Sequence, residues 1–369
     1  MEHGVDNVKG PRPGLRQEEP YRSPQRPVPV RLNTNECPYP LPEGFVRDLQ
    51  VALARLSLNR YPDWEAVELR SLLAERTGWP VDGLILANGS NEIIQQVLLA
   101  YGGPGRRVVT FEPTYPLYSR LSWVAHTEVV HVPVEAPFVI SAADVESALA
   151  ADPHVVFVCS PNNPTGNAQP VEVVEQLAAS GALVVVDEAY LEFGGKSSAV
   201  LGLENVAVLR TFSKAFALAG ARLGYGLVSP EVAGDVRRVR LPYHVSSLTQ
   251  AAGLAALRHA DEAMEILDAI RRQRDRIFES LSATAGVEAF PSDANFVLFR
   301  GEFQPGRVWE ALLDHGVLIR DLSMVVPGCL RVTAGTPEET TTFLGALAEV
   351  LASSAAEGRG HAADPSESW

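Results

Sequence analysis

Short apolar runs alternate with longer amphipathic stretches through the first two-thirds of the chain. GLILANGS, RRVVTFEPTY, TEVVHVPV, HVVFVCSPNN, ALVVVDEAY and VAVLRTFSK each carry a Val- or Leu-rich core that ends in polar residues or in Gly and Pro. Short runs of this kind predict strands buried on both faces. Between them, NEIIQQVLLAYG and VEVVEQLAASG place apolar residues at helical spacing. Repeated strand–turn–helix units predict an α/β fold: a mostly parallel central sheet with helices on both faces. No internal repeat of fixed period interrupts the pattern.

From about Asp261 the texture changes. EAMEILDAIRRQRDRIFESLSA predicts a long amphipathic helix, followed by strand-like ANFVLF, GVLIRD and CLRVTAGT and by the helix PEETTTFLGALAEVLA. This reads as a second, smaller α+β domain, with the early segment VPVRLNTNECPYPLP packed against it. The expected organisation is a flexible arm over 1–30, a small domain from 31–55 and 266–352, a large domain over 56–265, and a disordered tail over 353–369. Arm and tail are polar and lack apolar periodicity, so neither can build a core of its own.

Charge and composition narrow the function. A net charge of -14 argues against general affinity for nucleic acid or an anionic membrane. No stretch approaches the roughly 18 apolar residues of a membrane span. The first residues have no apolar core, so no secretory signal is expected and the protein is expected in the cytoplasm. Cys37, Cys159 and Cys329 lie far apart, outside any CxxC pair or Cys/His cluster. Neither a disulfide framework nor a metal site is expected from them. Of 31 basic residues only three are lysines, Lys9, Lys196 and Lys214, so chemistry that demands an amine has few candidates.

Ligands of open α/β sheets bind beyond the carboxyl ends of the strands, and there the polar clusters of this chain fall. Asn88-Gly89-Ser90-Asn91-Glu92 follows one run and Ser160-Pro161-Asn162-Asn163-Pro164-Thr165-Gly166 another. Asp187-Glu188-Ala189-Tyr190 and Arg210-Thr211-Phe212-Ser213-Lys214, with Arg222, follow two more. Gly89, Ser90 and Asn91 open a helix whose N–H groups and dipole suit a phosphate. Thr211, Ser213 and Arg222 add hydroxyls and a fixed cation for the same anion. Asp187 ends an apolar run, so its buried carboxylate needs a partner such as a pyridinium N–H. Asn163 and Tyr190 can donate to a phenolic oxygen, Tyr115 offers a face for stacking, and Lys214 supplies an amine for an imine. Phosphate, protonated ring nitrogen, phenolate and aldehyde together describe pyridoxal phosphate. Each feature has a plainer reading alone: Asp187 as a helix cap, Asn162–Gly166 as a turn, Lys214 as a surface charge. Gly194-Gly195-Lys196-Ser197 faintly suggests a phosphate loop, but Tyr190 stands where that motif needs its first glycine.

SPNNPTG, VVVDEAY and TFSKAFALAGARLGY resemble, in order and spacing, the motifs of the fold-type I pyridoxal-phosphate aminotransferases. The resemblance covers roughly residues 20–350. Within that group VPVRLNTNE, NRYPD, ANGSNEIIQQ, GGPGR, VRLPYHVSSLTQAA, SDANFVLF and CLRVTAGTPEE are most similar to the histidinol-phosphate aminotransferase family. The resemblance implies that Lys214 binds the cofactor covalently and moves the substrate proton, with Asp187 on the pyridine nitrogen. Asn163 and Tyr190 would hold the phenolic oxygen and Tyr115 would stack on the ring. Ser90, Asn91, Thr211, Ser213 and Arg222 would surround the phosphate. Tyr61 would reach the partner subunit's site, making a homodimer the active unit. Arg331 would hold the glutamate carboxylate, Arg320 and Tyr21 the distal anion of the substrate, and Asn35 would lie near the substrate end.

The implied reaction converts L-histidinol phosphate and 2-oxoglutarate to imidazole-acetol phosphate and L-glutamate in L-histidine biosynthesis. Arginine forks suit it, because they bind carboxylate and phosphate alike. Cys37 in Asn35-Glu36-Cys37-Pro38, the segment PTYPLYSRLS and the arm sequence YRSPQ depart from the family's usual pattern, all near the expected substrate end. On the same scaffold the alternatives are an aromatic (phenylalanine) aminotransferase and a phosphothreonine-type decarboxylase. A sensor domain of a transcription regulator would need a basic helix-turn-helix segment, for which the arm has no room.

Overall fold

The structure, a computed structural model, describes residues 9–17 and 25–360, with side chains through Ser353. In chain order its strands are β1 (Val30–Arg31), β2 (Leu84–Ala87), β3 (Arg107–Glu112), β4 (Glu128–Pro133), β5 (Val155–Cys159), β6 (Leu183–Asp187) and β7 (Val206–Thr211). They continue with β8 (Gly224–Leu227), β9 (Val287–Ala289), β10 (Phe296–Gly301), β11 (Val317–Leu318), β12 (Arg320–Asp321) and β13 (Cys329–Thr333).

The valine-rich runs form one seven-stranded sheet in the order β2-β8-β7-β6-β5-β3-β4. The pairs from β7 to β4 are all parallel, and β8 alone runs antiparallel to its neighbours. Side chains alternate along β5, β6 and β7, and nearly all of both sets are buried, whereas on the edge strand β4 only Val132 is. Val156, Val158, Val184, Val186 and Val208 enter one core, while Val155, Phe157, Val185, Ala207 and Leu209 enter another. Helix residues Ile93, Val97, Val232 and Val236 close the second core, and Leu69, Val145, Val174 and Leu177 belong to the first. Helices therefore cover both faces, as continuous apolar strands require.

The remaining strands build the smaller α+β part. Strands β12-β13-β10-β9 form an antiparallel sheet, and β1 pairs with β11 in parallel. The segment after β1 joins this part through the main chain: the Leu32 N–H donates to the Leu318 carbonyl at 2.7 Å, and the Leu32 carbonyl accepts from the Thr333 N–H at 2.9 Å. The 23-residue helix Ala260–Ser282 packs along it and begins with Asp261 and Glu262, acids that suit a helix N-terminus.

Two local expectations differ from the structure. GVLIRD, read as one strand, is split at Ile319: β11 pairs with β1 and β12 with β13. Ile319 is buried at the crossing, so the apolar run continues although the hydrogen-bonding partner changes. The last helix, Pro337–Gly360, runs past Ser353, where a tail is expected. Ala355, Ala356, Glu357 and Arg359 in that stretch all have high helix propensity. Among the described residues no helix is long and apolar enough to cross a membrane.

Candidate active site

The chain leaves β3 for β4 on one side, and then places β5, β6 and β7 on the other. The carboxyl ends of β3 and β5 therefore flank a topological switch, where a crevice opens. Thr114 Oγ1 donates to Asn162 Oδ1 and Asn162 Nδ2 donates to the Pro113 carbonyl, each at 2.8 Å, tying the two loops at this point together. A cavity of about 400 Å³ lies over these strand ends, a size suited to a cofactor with a small substrate.

One wall is built for an anion. The helix Ser90–Tyr101 opens on Gly89, whose φ of 81° suits glycine, and no side chain caps it. Gly224 packs so closely behind that a Cβ there would lie 2.3 Å from the Ser90 nitrogen. A Cβ on Gly89 would lie 2.6 Å from Arg222 Nη2, so the guanidinium lies directly against the helix start. Arg222 Nη1 donates to Ser213 Oγ at 3.3 Å, and Thr211 Oγ1 donates to the same oxygen at 3.0 Å. Asn91 Nδ2 donates to Tyr115 Oη at 3.4 Å. A helix dipole, two hydroxyls and one guanidinium thus meet at one end of the cavity.

Asp187 lies at the base, 4% exposed. Tyr118 Oη donates to its Oδ2 at 2.8 Å, and the Ala189 N–H donates to its Oδ1 at 3.1 Å. Burial raises the Asp187 pKa, while Tyr118, Ala189 and nearby Lys214 oppose that rise. Lys214 Nζ donates to the Thr34 carbonyl at 3.1 Å and lies 5.8 Å from the Tyr190 ring centre. Burial, then the charges of Arg331 and Arg222, lower its pKa to about 8. Tyr190 Oη accepts from Asn35 Nδ2 at 2.9 Å, and burial raises its pKa.

The opposite wall comes from the small sheet. Arg331, 7% exposed, donates through Nη1 to Asn163 Oδ1 and through Nη2 to the Asn33 carbonyl at 3.1 Å. Its guanidinium sits 4.9 Å from the Phe296 ring centre. Arg320, its register neighbour on β12, also lines the cavity.

Lys214, Asp187, Tyr190, Ser90, Asn91, Tyr115, Asn163, Thr211, Ser213, Arg222, Arg331, Arg320 and Asn35 all line this one cavity. Tyr61 does not: it is 80% exposed, stacked on Tyr243 at 4.5 Å, beside a separate depression. Tyr21 lies outside the described residues. Lys196 is exposed away from the cavity, on a loop anchored by Ser197 and Ser198 to the Glu188 carboxylate. Sequence reasoning missed Tyr118, Thr114, Thr333 and Asn295. None of the four carried a functional signal: Tyr118, three residues after Tyr115 at the start of a helix, reads as core.

This donor set can hold a phosphate at one end and a protonated ring nitrogen at Asp187. An aldehyde-reactive amine, Lys214, lines the same cavity, as do Arg331 and Arg320 for a further anion.

The model of the family described as aminotransferase class I and II matches residues 27–347. A protein of Paenarthrobacter aurescens strain TC1 named histidinol-phosphate aminotransferase is 46% identical over 357 residues, covering 92% of this chain and 94% of that one. One of the same name from Thermobifida fusca strain YX is 48% identical over 352 residues, covering 91% and 94%. Among solved structures, the histidinol-phosphate aminotransferase of Sinorhizobium meliloti, in complex with pyridoxal-5'-phosphate, superposes with a TM-score of 0.83 at 26% identity. That match covers 94% of this chain and 99% of the other.

Proposed function

Because the chain belongs to the class I and II aminotransferases, we propose that it is a pyridoxal-phosphate-dependent enzyme that converts L-histidinol phosphate and 2-oxoglutarate to imidazole-acetol phosphate and L-glutamate. The reaction serves L-histidine biosynthesis. The observation that carries the chemistry is the juxtaposition of Lys214, buried Asp187 and the Gly89–Arg222 anion wall in one cavity. The relatives at 46% and 48% identity carry the choice of substrate over the aromatic and decarboxylase readings.

The cavity fits the cofactor group by group. The helix start at Ser90 and Asn91, with Thr211, Ser213 and Arg222, takes its phosphate. Asp187 would pair with its ring N–H, Asn163 and Tyr190 would hold its phenolic oxygen, and Tyr115 would cover its ring. When bound, pyridoxal phosphate supplies an electron sink for the charge that develops at the substrate α-carbon. Lys214 would anchor the cofactor through Nζ, and its amine would serve as the base for the substrate α-proton. A pKa near 8 leaves that amine partly neutral at physiological pH, as a base must be. Arg331 binds the α-carboxylate of glutamate as a fork, with Phe296 beneath its plane. Arg320 and Tyr21 receive the distal carboxylate or phosphate, and Asn35 bounds the substrate end.

The cofactor domain is 56–265, and 31–55 with 266–352 closes the substrate side. The enzyme acts in the cytoplasm as a homodimer in which Tyr61 and the arm of each subunit complete the partner's site. Support for the dimer is the exposed Tyr61–Tyr243 stack beside Trp64, 59% exposed, over which Arg240 lies. Large exposed aromatics clustered on one face mark an interface.

Half-reaction spectra of the purified holoenzyme test the reading. Loss of the visible cofactor band with L-histidinol phosphate, at far lower concentration than L-phenylalanine needs, supports it. Efficient conversion by phenylalanine with none by histidinol phosphate assigns the enzyme to aromatic amino acids. Sedimentation of the wild type and of Tyr61→Ala tests the dimer.

A further inference from the structure

We propose that Tyr118 is a positioning residue for this reaction, its phenol holding Asp187 ionised and oriented toward the cofactor ring nitrogen. The inference rests on the pyridoxal-phosphate reading above. Tyr118 Oη donates to Asp187 Oδ2 at 2.8 Å, while the Ala189 N–H occupies Oδ1 at 3.1 Å. Each carboxylate oxygen is thus fixed by one donor, and the carboxylate still lines the cavity.

The phenol is itself held. Its ring is fully buried and stacks on Phe157 at 4.7 Å with planes 3° apart. It also makes an edge-to-face contact at 5.6 Å with Tyr115, the residue expected against the cofactor. Ser122 Oγ donates to the Tyr118 carbonyl at 2.8 Å, fixing the first turn of the helix that carries it. A stacked ring cannot swing, so the O–H direction is set before any ligand arrives.

A neutral donor suits this place. A buried carboxylate without donors takes up a proton and can no longer pair with a cationic ring. An arginine would keep it ionised but would cancel the charge that the ring nitrogen needs. A phenol stabilises the anion and leaves its charge unspent. Ionisable groups facing Asp187 among the described residues are Tyr118, Cys159 at the end of β5, and Lys214 after β7. Burial beside that carboxylate keeps the phenol protonated and pushes the Cys159 thiol up to about 12, so neither adds a competing charge.

The test compares wild-type, Tyr118→Phe and Tyr118→His holoenzymes reconstituted with cofactor isotope-labelled at the ring nitrogen. Magnetic resonance follows that nitrogen's protonation against pH. In Tyr118→Phe the ring nitrogen should lose its proton at least one pH unit lower, about a tenfold change in proton affinity. The kcat should fall about tenfold or more, with KM for the amino donor changed less than about twofold. Tyr118→His keeps an N–H donor and should recover most of both. A Tyr118→Phe resonance and kcat equal to wild type would overturn the inference. Should that variant fail to fold, Phe157→Leu carries the test by loosening the ring while keeping Oη. A downward shift of the same titration supports positioning, and an unchanged one overturns it. A wild-type protein that takes up no cofactor would instead refute the proposed function.

Discussion

Asn35 donates through Nδ2 to Tyr190 Oη at 2.9 Å, joining the segment after β1 to the loop after β6. Asn35 is 1% exposed with a φ of 55°. Its carboxamide oxygen accepts from Thr333 Oγ1 at 3.0 Å, its N–H donates back to the same hydroxyl at 3.0 Å, and its carbonyl accepts from Asn295 Nδ2 at 3.2 Å. Both ends of the carboxamide are therefore used, and the Tyr190 phenol receives a fixed donor. Asn35→Ala should lower stability by about 2–4 kcal/mol, since it orphans buried partners on both sides. Asn35→Gly removes the same bonds but suits the positive φ, so it should cost less than Ala. Urea unfolding of the two variants checks the order; equal losses would mean that the backbone conformation carries no cost.

Lys214 makes a prediction with a definite sign in pH. A lysine of pKa 10.5 is neutral in roughly one molecule in three thousand at pH 7, and one near 8 in about one in ten. The neutral amine attacks an aldehyde, so attachment of cofactor to the apoprotein should accelerate with rising pH and level off above about 8. An inflection near 10.5 would show that burial and the charges of Arg331 and Arg222 do not act as described. Lys214→Ala should lose the visible imine band and reduce turnover to background.

Arg331 and Arg320 should separate under mutation. Arg331 is buried, bonded to Asn163 and Asn33, and packed on Phe296. Arg331→Ala should lower kcat/KM for glutamate about a hundredfold or more, while the holoenzyme spectrum persists. Arg331→Lys should recover little, because a point charge does not replace a fork. Arg320→Ala should weaken histidinol phosphate more than phenylalanine. Steady-state kinetics on the three amino donors read both effects.

The central sheet was legible because strands buried on both faces are continuous apolar runs, and VVFVC and ALVVVD cannot be mistaken for half-exposed ones. The four strand-end clusters were legible because the carboxyl ends of parallel strands share one edge. Tyr118 was not: an aromatic at the start of an apolar helix looks the same whether its hydroxyl finds a carboxylate or not. The Asn35–Thr333 pair spans 298 positions, and no local pattern announces such a contact. The break at Ile319 was hidden because burial continues across it while only the pairing changes. Tyr61 touches nothing in the cavity of its own chain, so its placement came from resemblance alone.

Gly224 should control the anion wall without touching any ligand. A Cβ added there would lie 2.3 Å from the Ser90 nitrogen and 2.5 Å from the Gly89 carbonyl carbon. These are main-chain atoms, which cannot rotate aside, so Gly224→Ala must push the helix start away from β8. The groups that should hold the cofactor phosphate then lose their register with Arg222 and Ser213. Gly226, on the same strand, is the control: its added Cβ would meet Ile85 side-chain atoms at 2.8 and 3.0 Å, which can adopt another rotamer. Both variants should lower stability, by about 1–3 kcal/mol from overpacking. Only Gly224→Ala should also weaken cofactor binding, by about tenfold or more, in titrations of apoprotein followed by absorbance. Equal cofactor affinity in the two variants would mean that the phosphate is held chiefly by the side chains of Arg222, Thr211 and Ser213, and not by the helix start.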